Sequence, residues 1–496
     1  MINFLKTTVG TSDELDLKYT TETIKRNAIQ GVVVLSGKKI ALQLIQTFST
    51  IVLARILFPQ TFGIFAIMVF VIEFLATLPS QGFVSAIIQK NAKVFQKDLS
   101  TIFWGVMFVS LIFYILLWFL TPAITDFYKF NNVNSVYLFR VMALVIFLVN
   151  IRMISSSILE RQIRYLPITL IEIVELLITQ LVSIFMAIRG FGIESLVVGY
   201  ISGKSVGALT FYIFSPFKVM TTFAQKNFSK FFSFAMSFQI YSLANSVSGS
   251  IAPLYVGHVV GPVGTGYLTW AGGVGLIPWA FAELIAKVSF PVFSRISGNK
   301  KLLSSSIDQS LNLILMVVIP VAVILFIFAE PITNIIFTYK WLPAVWALRY
   351  FVLLGSTVAI TTIAASALMA TGQIKFVRNV SLISALVFWI LALILVPKIG
   401  FIGHPLAWFL GSTIQLVLIA KIVGTFGVRY WNNVVFYLSV SIICAVSAFY
   451  LTGQIRNILE LILGVGLAFL FYSLLILLLR RTYIFVYLHQ FKAIFK

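Results

Sequence analysis

Apolar runs of about 20 residues, the length a helix needs to cross hydrocarbon, recur from one end of this chain to the other. Only 10% of its 496 residues are charged, against about 25% in a soluble domain. The surface such a chain presents is therefore lipid, not water. The runs do not alternate apolar and polar residues, which argues against a β-barrel. The expectation is an all-α polytopic membrane protein with about 14 transmembrane helices.

The hydropathy pattern predicts spans near 31–54, 62–88, 99–120, 136–159, 168–188 and 192–214, then 231–257, 264–286, 311–329, 344–370, 380–397 and 402–420. Two more lie near 433–451 and 458–479. Residues 1–28 carry Asp13, Glu14, Asp16 and Glu22 with no short apolar core or cleavage site, so span one is expected to be an uncleaved anchor. The net charge of +21 is read as topology, not nucleic-acid binding. With the N-terminus in the cytoplasm, loops on that side hold 24 of the 36 Lys and Arg, opposite loops six, and spans six. Both termini are thus expected to face the cytoplasm.

The chain echoes itself. Pro59 and Gly63, leading into span two, match Pro262 and Gly266, leading into span eight, at an offset of 203. Val136-Tyr137-Leu138-Phe139-Arg140 matches Val345-Trp346-Ala347-Leu348-Arg349 at 209, and Gln162-Ile163-Arg164 matches Gln373-Ile374-Lys375 at 211. This predicts two parallel, pseudo-symmetric six-helix bundles, 29–215 and 216–420. They are followed by two additional transmembrane helices in 421–479 and a basic cytoplasmic tail, 480–496. Parallel repeats place a substrate path at their interface.

The segment Ile51-Val52-Leu53-Ala54-Arg55-Ile56-Leu57-Phe58-Pro59-Gln60-Thr61-Phe62-Gly63-Ile64-Phe65 resembles the junction of the first two helices in the polysaccharide flippases. Those belong to the multidrug/oligosaccharidyl-lipid/polysaccharide exporter superfamily. Phe290-Pro291-Val292-Phe293-Ser294-Arg295 is similar to another piece of that pattern, and the likeness covers about residues 24–479. Phe58 stands where the pattern has glycine, which Gly261 supplies in the second half. The resemblance implies a bacterial inner-membrane flippase. Its cargo would be an undecaprenyl-diphosphate-linked oligosaccharide carried to the periplasmic leaflet, and its neighbours membrane lipids, a polysaccharide polymerase and export machinery. It implies no cofactor.

Charged residues inside spans cost about 2.5–3.5 kcal/mol each on insertion scales, so each calls for a reason. A diphosphate headgroup would need a cationic cavity, for which the candidates are Lys204, Lys39, Arg140 and Arg349. Lys204 lies deepest, among small residues that suit either close packing or a cavity wall. Lys38 and Lys39 point about 100° apart, so at most one faces a cavity squarely. Snorkelling is the alternative for Lys39, Arg140 and Arg349. Glu73, without a local partner, and Glu283, four residues from Lys287, are candidates for ion coupling. Arg152 and Glu175 are expected to form a structural ion pair, with Glu172 on nearly the same face. The polar run Ser242, Asn245, Ser246, Ser248 and Ser250 of span seven is expected to pack helices.

Other chemistries lack their parts. Gly203-Lys204-Ser205 is no phosphate loop, because Val198 stands where its first glycine belongs. Cys444 is the only cysteine, and no metal constellation accompanies it. A membrane glycosyltransferase or polymerase would need a large extracytoplasmic loop. The longest here, about 121–135, has only Asp126 as an acid. A cation-coupled exporter of drugs and a translocator of the peptidoglycan lipid precursor are the other transporter readings.

Overall fold

The computed structural model describes residues 21–80, 83, 87, 96–130, 134–217, 219–220, 254–453 and 455–480, with side chains from 37 onward apart from 284, 287 and 288. The span-seven serines, the Lys287 side chain, residues 1–20 and the tail beyond Arg480 lie outside the described residues.

Among the described residues every regular element is helical. The helices are α1 (Thr21–Ile56), α2 (Pro59–Thr77), α3 (Gln96–Phe127), α4 (Ser135–Met142), α5 (Val145–Arg161), α6 (Tyr165–Ile188) and α7 (Ile193–Phe214). Then come α8 (254–275), α9 (Ile277–Ile296), α10 (Lys300–Ile327), α11 (Val345–Ala370), α12 (Ile374–Ile399), α13 (Gly403–Gly424), α14 (Tyr430–Thr452) and α15 (Ile458–Leu479). Eleven described stretches are long and apolar enough to cross a membrane, one of them holding both α12 and α13. The protein is a multi-pass membrane protein; the described residues do not bring the count to fourteen.

Two boundaries differ instructively from the hydropathy reading. Helix α10 begins at Lys300, not 311, because Asn299 caps it: the Leu302 N–H donates to its side chain at 3.2 Å. The expected span eight is split, since Pro278 in the first turn of α9 starts a new helix.

The chain forms two compact units, Met1–Gly266 and Tyr267–Lys496. This division lies beyond the 215/216 boundary read from the sequence. Residues 254–266 belong to the first unit and pack on its helices: His258 stacks on Phe127 with ring centroids 3.9 Å apart, and the Tyr128 hydroxyl donates to the Leu254 carbonyl at 3.3 Å. The matched glycines meet there too. A Cβ on Gly63 would collide with the Pro262 carbonyl, and one on Gly266 with the Pro59 carbonyl. The contact is reciprocal: each glycine lies against the carbonyl of the other segment's proline.

In the first unit, Met68, Ile72, Phe139, Met142 and Ile146 form a core of α2, α4 and α5. Asn150, fully buried, ties this core together. Its amide donates to the Ala76 carbonyl at 3.2 Å, the Ser110 hydroxyl at 3.0 Å and the Ile146 carbonyl at 2.9 Å.

The second unit solves a related problem around Pro320. Proline has no N–H, so it leaves the carbonyl four residues earlier without its helical donor. That carbonyl, on Met316, accepts from the Tyr472 hydroxyl of α15 at 2.8 Å. Asn433 of α14 donates to Asp308 of α10 at 2.9 Å and accepts from Arg480 at 3.3 Å. The two helices beyond the repeats are thus fastened to α10. Tyr472→Phe is expected to cost about 1 kcal/mol, read as a lower melting temperature of the purified protein in detergent.

Candidate functional site

Helix α7 carries Gly199, Gly203 and Gly207, one turn apart on one face. Each faces α6. A Cβ would strike the Ser183 hydroxyl at 199, the Thr179 hydroxyl at 203, and the Glu175 carboxylate at 207. Small residues at this spacing let two helices close together in lipid. Here they do more, because the space over Gly207 is filled by the Glu175 carboxyl group.

Glu175 is thereby held where two cations reach it. Arg152 of α5 bonds its Oε2. Lys204, midway along α7, places Nζ 3.1 Å from its Oε1. The same ammonium lies 3.2 Å from Oε1 of Glu73 on α2 and 5.2 Å from the centre of the Tyr200 ring. Tyr200 donates its hydroxyl to Glu73 Oε1. One turn from Glu175, Glu172 pairs with Lys38 of α1. Side-chain exposures of 15% for Lys204, 11% for Glu175 and 33% for Glu73 show that the centre is sheltered.

Three cations, Lys38, Arg152 and Lys204, thus face three carboxylates, Glu73, Glu172 and Glu175. The formal charge is zero, which is how ionised groups persist inside an apolar bundle. Lys204 is the shared member: it bridges two carboxylates on different helices. Sequence reasoning missed Tyr200 and left Glu73 alone, because its partners lie 127 and 131 positions away. The glycine stripe at 199, 203 and 207 was the available clue that α6 and α7 touch at this depth.

The other candidates fall elsewhere. Lys39 is half-buried on α1; its neighbour Lys38 takes the carboxylate. Glu283 is half-buried on α9 in the second unit. Arg140 and Arg349 make equivalent contacts in their separate units. Arg140 donates Nε to the Trp118 carbonyl at 3.2 Å and sits 4.5 Å over the Trp118 ring. Arg349 donates Nε to the Phe326 carbonyl at 3.2 Å and sits 5.5 Å over the Phe326 ring. Both carbonyls lack a helical donor, Trp118's because of Pro122 and Phe326's because it lies in the last turn of α10. The duplicated arginines therefore do the same duplicated job. Arg140→Met is expected to cost about 1.5–3 kcal/mol, as for a lost hydrogen bond from a charged group, measured by thermal melting.

Residues 52–346, more than half of the chain, match a family described as polysaccharide biosynthesis protein. The chain belongs to that family. Among curated family relatives, it is 21% identical over 392 residues to an uncharacterized membrane protein in the cps region of Klebsiella pneumoniae, covering 77% of this chain and 80% of the relative. It is 22% identical to the teichuronic acid biosynthesis protein TuaB of Bacillus subtilis, over 59% of this chain and 60% of TuaB. It is also 22% identical to the succinoglycan biosynthesis transport protein ExoT of Rhizobium meliloti, over 58% of each.

The family fold is shared with solved transporters. The lipid II flippase MurJ, in an inward closed conformation, superimposes with a TM-score of 0.72 at 19% identity, over 90% of this chain and 99% of MurJ. An inward-facing multidrug resistance transporter of the MATE family gives 0.57 at 15% identity, over 79% of this chain and 99% of that one. The all-α polytopic architecture expected from hydropathy is the fold that these solved transporters share.

Proposed function

We propose that this protein flips an undecaprenyl-diphosphate-linked oligosaccharide, one polysaccharide repeat unit, from the cytoplasmic to the periplasmic leaflet by alternating access. The observation that carries this reading is the charge-balanced cluster around Lys204, in a chain of the polysaccharide biosynthesis family. Ionised groups inside a helical bundle are costly and mark relays and substrate paths. ExoT is named as a transport protein and MurJ as a lipid flippase, which supports the same reading.

In this proposal the two duplicated six-helix bundles are the moving halves, and both termini face the cytoplasm. The cluster links ion uptake to the headgroup. When Glu73 takes up a proton, the cluster passes from neutral to +1, and Lys204, left with Glu175 as its one carboxylate partner in the cluster, carries charge to offer the diphosphate. Lys39, Arg140 and Arg349 supply the rest of the cationic path, and Glu283 is the coupling candidate of the second half. Polymerase and export machinery would receive the flipped lipid. Glu73→Gln mimics the protonated form, so transport by this variant is expected to lose its dependence on a pH gradient and fall about tenfold or more, the low end for groups that position or transfer protons.

The fold shared with multidrug transporters keeps drug export as the second reading. A host lacking the gene distinguishes them. Lipid-linked oligosaccharide accumulating in its cytoplasmic leaflet, cleared when the gene is restored, supports the flippase. Raised drug sensitivity without accumulation supports the exporter.

A further inference from the structure

A second concentration of charge lies away from the bundle cores. The first turns of α10 and the loop joining α13 to α14 line an open cavity of about 460 Å³, with Lys300, Lys301, Ser304, Ser305, Asp308 and Arg429 on its walls. This volume lies in the range of small-molecule sites, about 300–1,000 Å³. Lys300, Lys301 and Arg429 are exposed, and none of them is ion-paired to a carboxylate among the described residues. Asp308 offsets one of these charges, which leaves the lining at a formal +2. Its Oδ1 accepts from Asn433 at 2.9 Å and its Oδ2 from Asn312 at 3.1 Å, so the carboxylate is turned toward the amides of α14 and α10.

What remains open to a ligand is donor chemistry. The N-terminal end of a 28-residue helix contributes its positive dipole. Ser305 accepts from Gln309 at 3.4 Å, which leaves its own proton to give. Three cations and serine hydroxyls together select an anion with several oxygens, and a phosphate fits that set.

The surroundings identify the carrier of that phosphate. Lys300, Lys301 and Arg429 belong to the loops that the Lys and Arg count assigns to the basic face, where anionic lipid headgroups gather. Bordering the cavity in sequence are Leu302 and Trp431, exposed by 55% and 43%. From Trp431 the lane continues along α14 through Val435, Leu438 and Ile442, all exposed and spaced along one helical face. An acyl chain would lie along this lane as lipid does along the other exposed apolar helix faces.

We propose that this cavity is a binding site for the phosphate of an anionic phospholipid, built by the start of α10 and the loop joining α13 to α14. It holds the start of α14 to α10 beside the Asn433–Asp308 hydrogen bond. The site is independent of the Lys204 cluster and of the flippase reading.

The test uses the full-length protein, purified and delipidated in detergent, with bound lipid counted by native mass spectrometry. Phosphatidylglycerol is compared with phosphatidylcholine, and inorganic phosphate is added as a competitor. Phosphatidylglycerol is expected to be retained preferentially. Its retention should fall about tenfold or more in Lys300→Gln/Lys301→Gln/Arg429→Gln, given the attraction each basic residue contributes near a membrane surface. The equally charged control Lys375→Gln/Arg378→Gln/Lys421→Gln should retain the lipid as the unaltered protein does. Should the triple variant not fold, Arg429→Gln alone is expected to lose about fivefold. Equal retention by the cavity variant, or equal loss in the control, overturns the site. Complete displacement by millimolar inorganic phosphate overturns the lipid assignment in favour of a soluble phosphate.

Discussion

Lys204→Met is expected to destabilise the protein by about 3–5 kcal/mol, the cost of breaking a buried ion pair and leaving its partner charged. Here two partners are left. Glu73 and Glu175 each lose an ammonium at 3.2 and 3.1 Å, and the cluster falls from neutral to −1. The charge arithmetic gives the companion result. Lys204→Met with Glu73→Gln restores neutrality, leaves Glu175 with Arg152, and is expected to recover most of the lost stability. Thermal melting and the yield of monodisperse protein read this directly. The double variant also separates structure from transport. If the cluster serves only to hold helices, transport returns with stability; if Lys204 meets the cargo, stability returns and transport does not.

The second large effect is expected at the reciprocal glycines. Gly63→Ala puts a Cβ onto the Pro262 carbonyl, and Gly266→Ala puts one onto the Pro59 carbonyl. The clash is with backbone, so no rotamer change relieves it. Each substitution is expected to cost about 1–3 kcal/mol, as overpacking does. Both open the same seam. The second should therefore add little once the first has been made, a coupling that a double-mutant cycle reports. Full additivity would mean that the two glycines guard separate contacts.

Much of the fold was legible because lipid leaves few choices. A chain this apolar can satisfy its backbone in a bilayer only as helices or a closed barrel, and unbroken apolar runs exclude the barrel. The matched Pro59/Pro262 and Gly63/Gly266 were readable as a repeat, and the structure brings those same four residues together. Arg140 and Arg349 were likewise readable as mates. What each bonds was hidden, since it depends on a carbonyl 22 or 23 residues earlier having no helical donor.

Helix ends were less legible. Hydropathy senses only hydrocarbon, and α10 runs eleven residues beyond its apolar window because Asn299 starts it. The cluster was half legible. Arg152 and Glu175 flank one short loop at matching depth, which spacing reveals. Glu73, Lys204 and Tyr200 meet through tertiary packing of α2 on α7, which no local pattern encodes. The glycine stripe explains how the carboxylate of Glu175 gains its place, and its Gly207 member draws no attention in a sequence with 30 glycines.

The most direct measurement is transbilayer movement of a purified undecaprenyl-diphosphate-linked oligosaccharide in proteoliposomes containing this protein. The fraction accessible to a membrane-impermeant sugar-cleaving enzyme is followed over time, under an imposed pH gradient and without one. Faster exposure than in protein-free vesicles, driven by the gradient and lost in the stable double variant of Lys204 and Glu73, is the expected result. Movement no faster than in empty vesicles, from protein that is folded and inserted, would contradict flipping of this cargo.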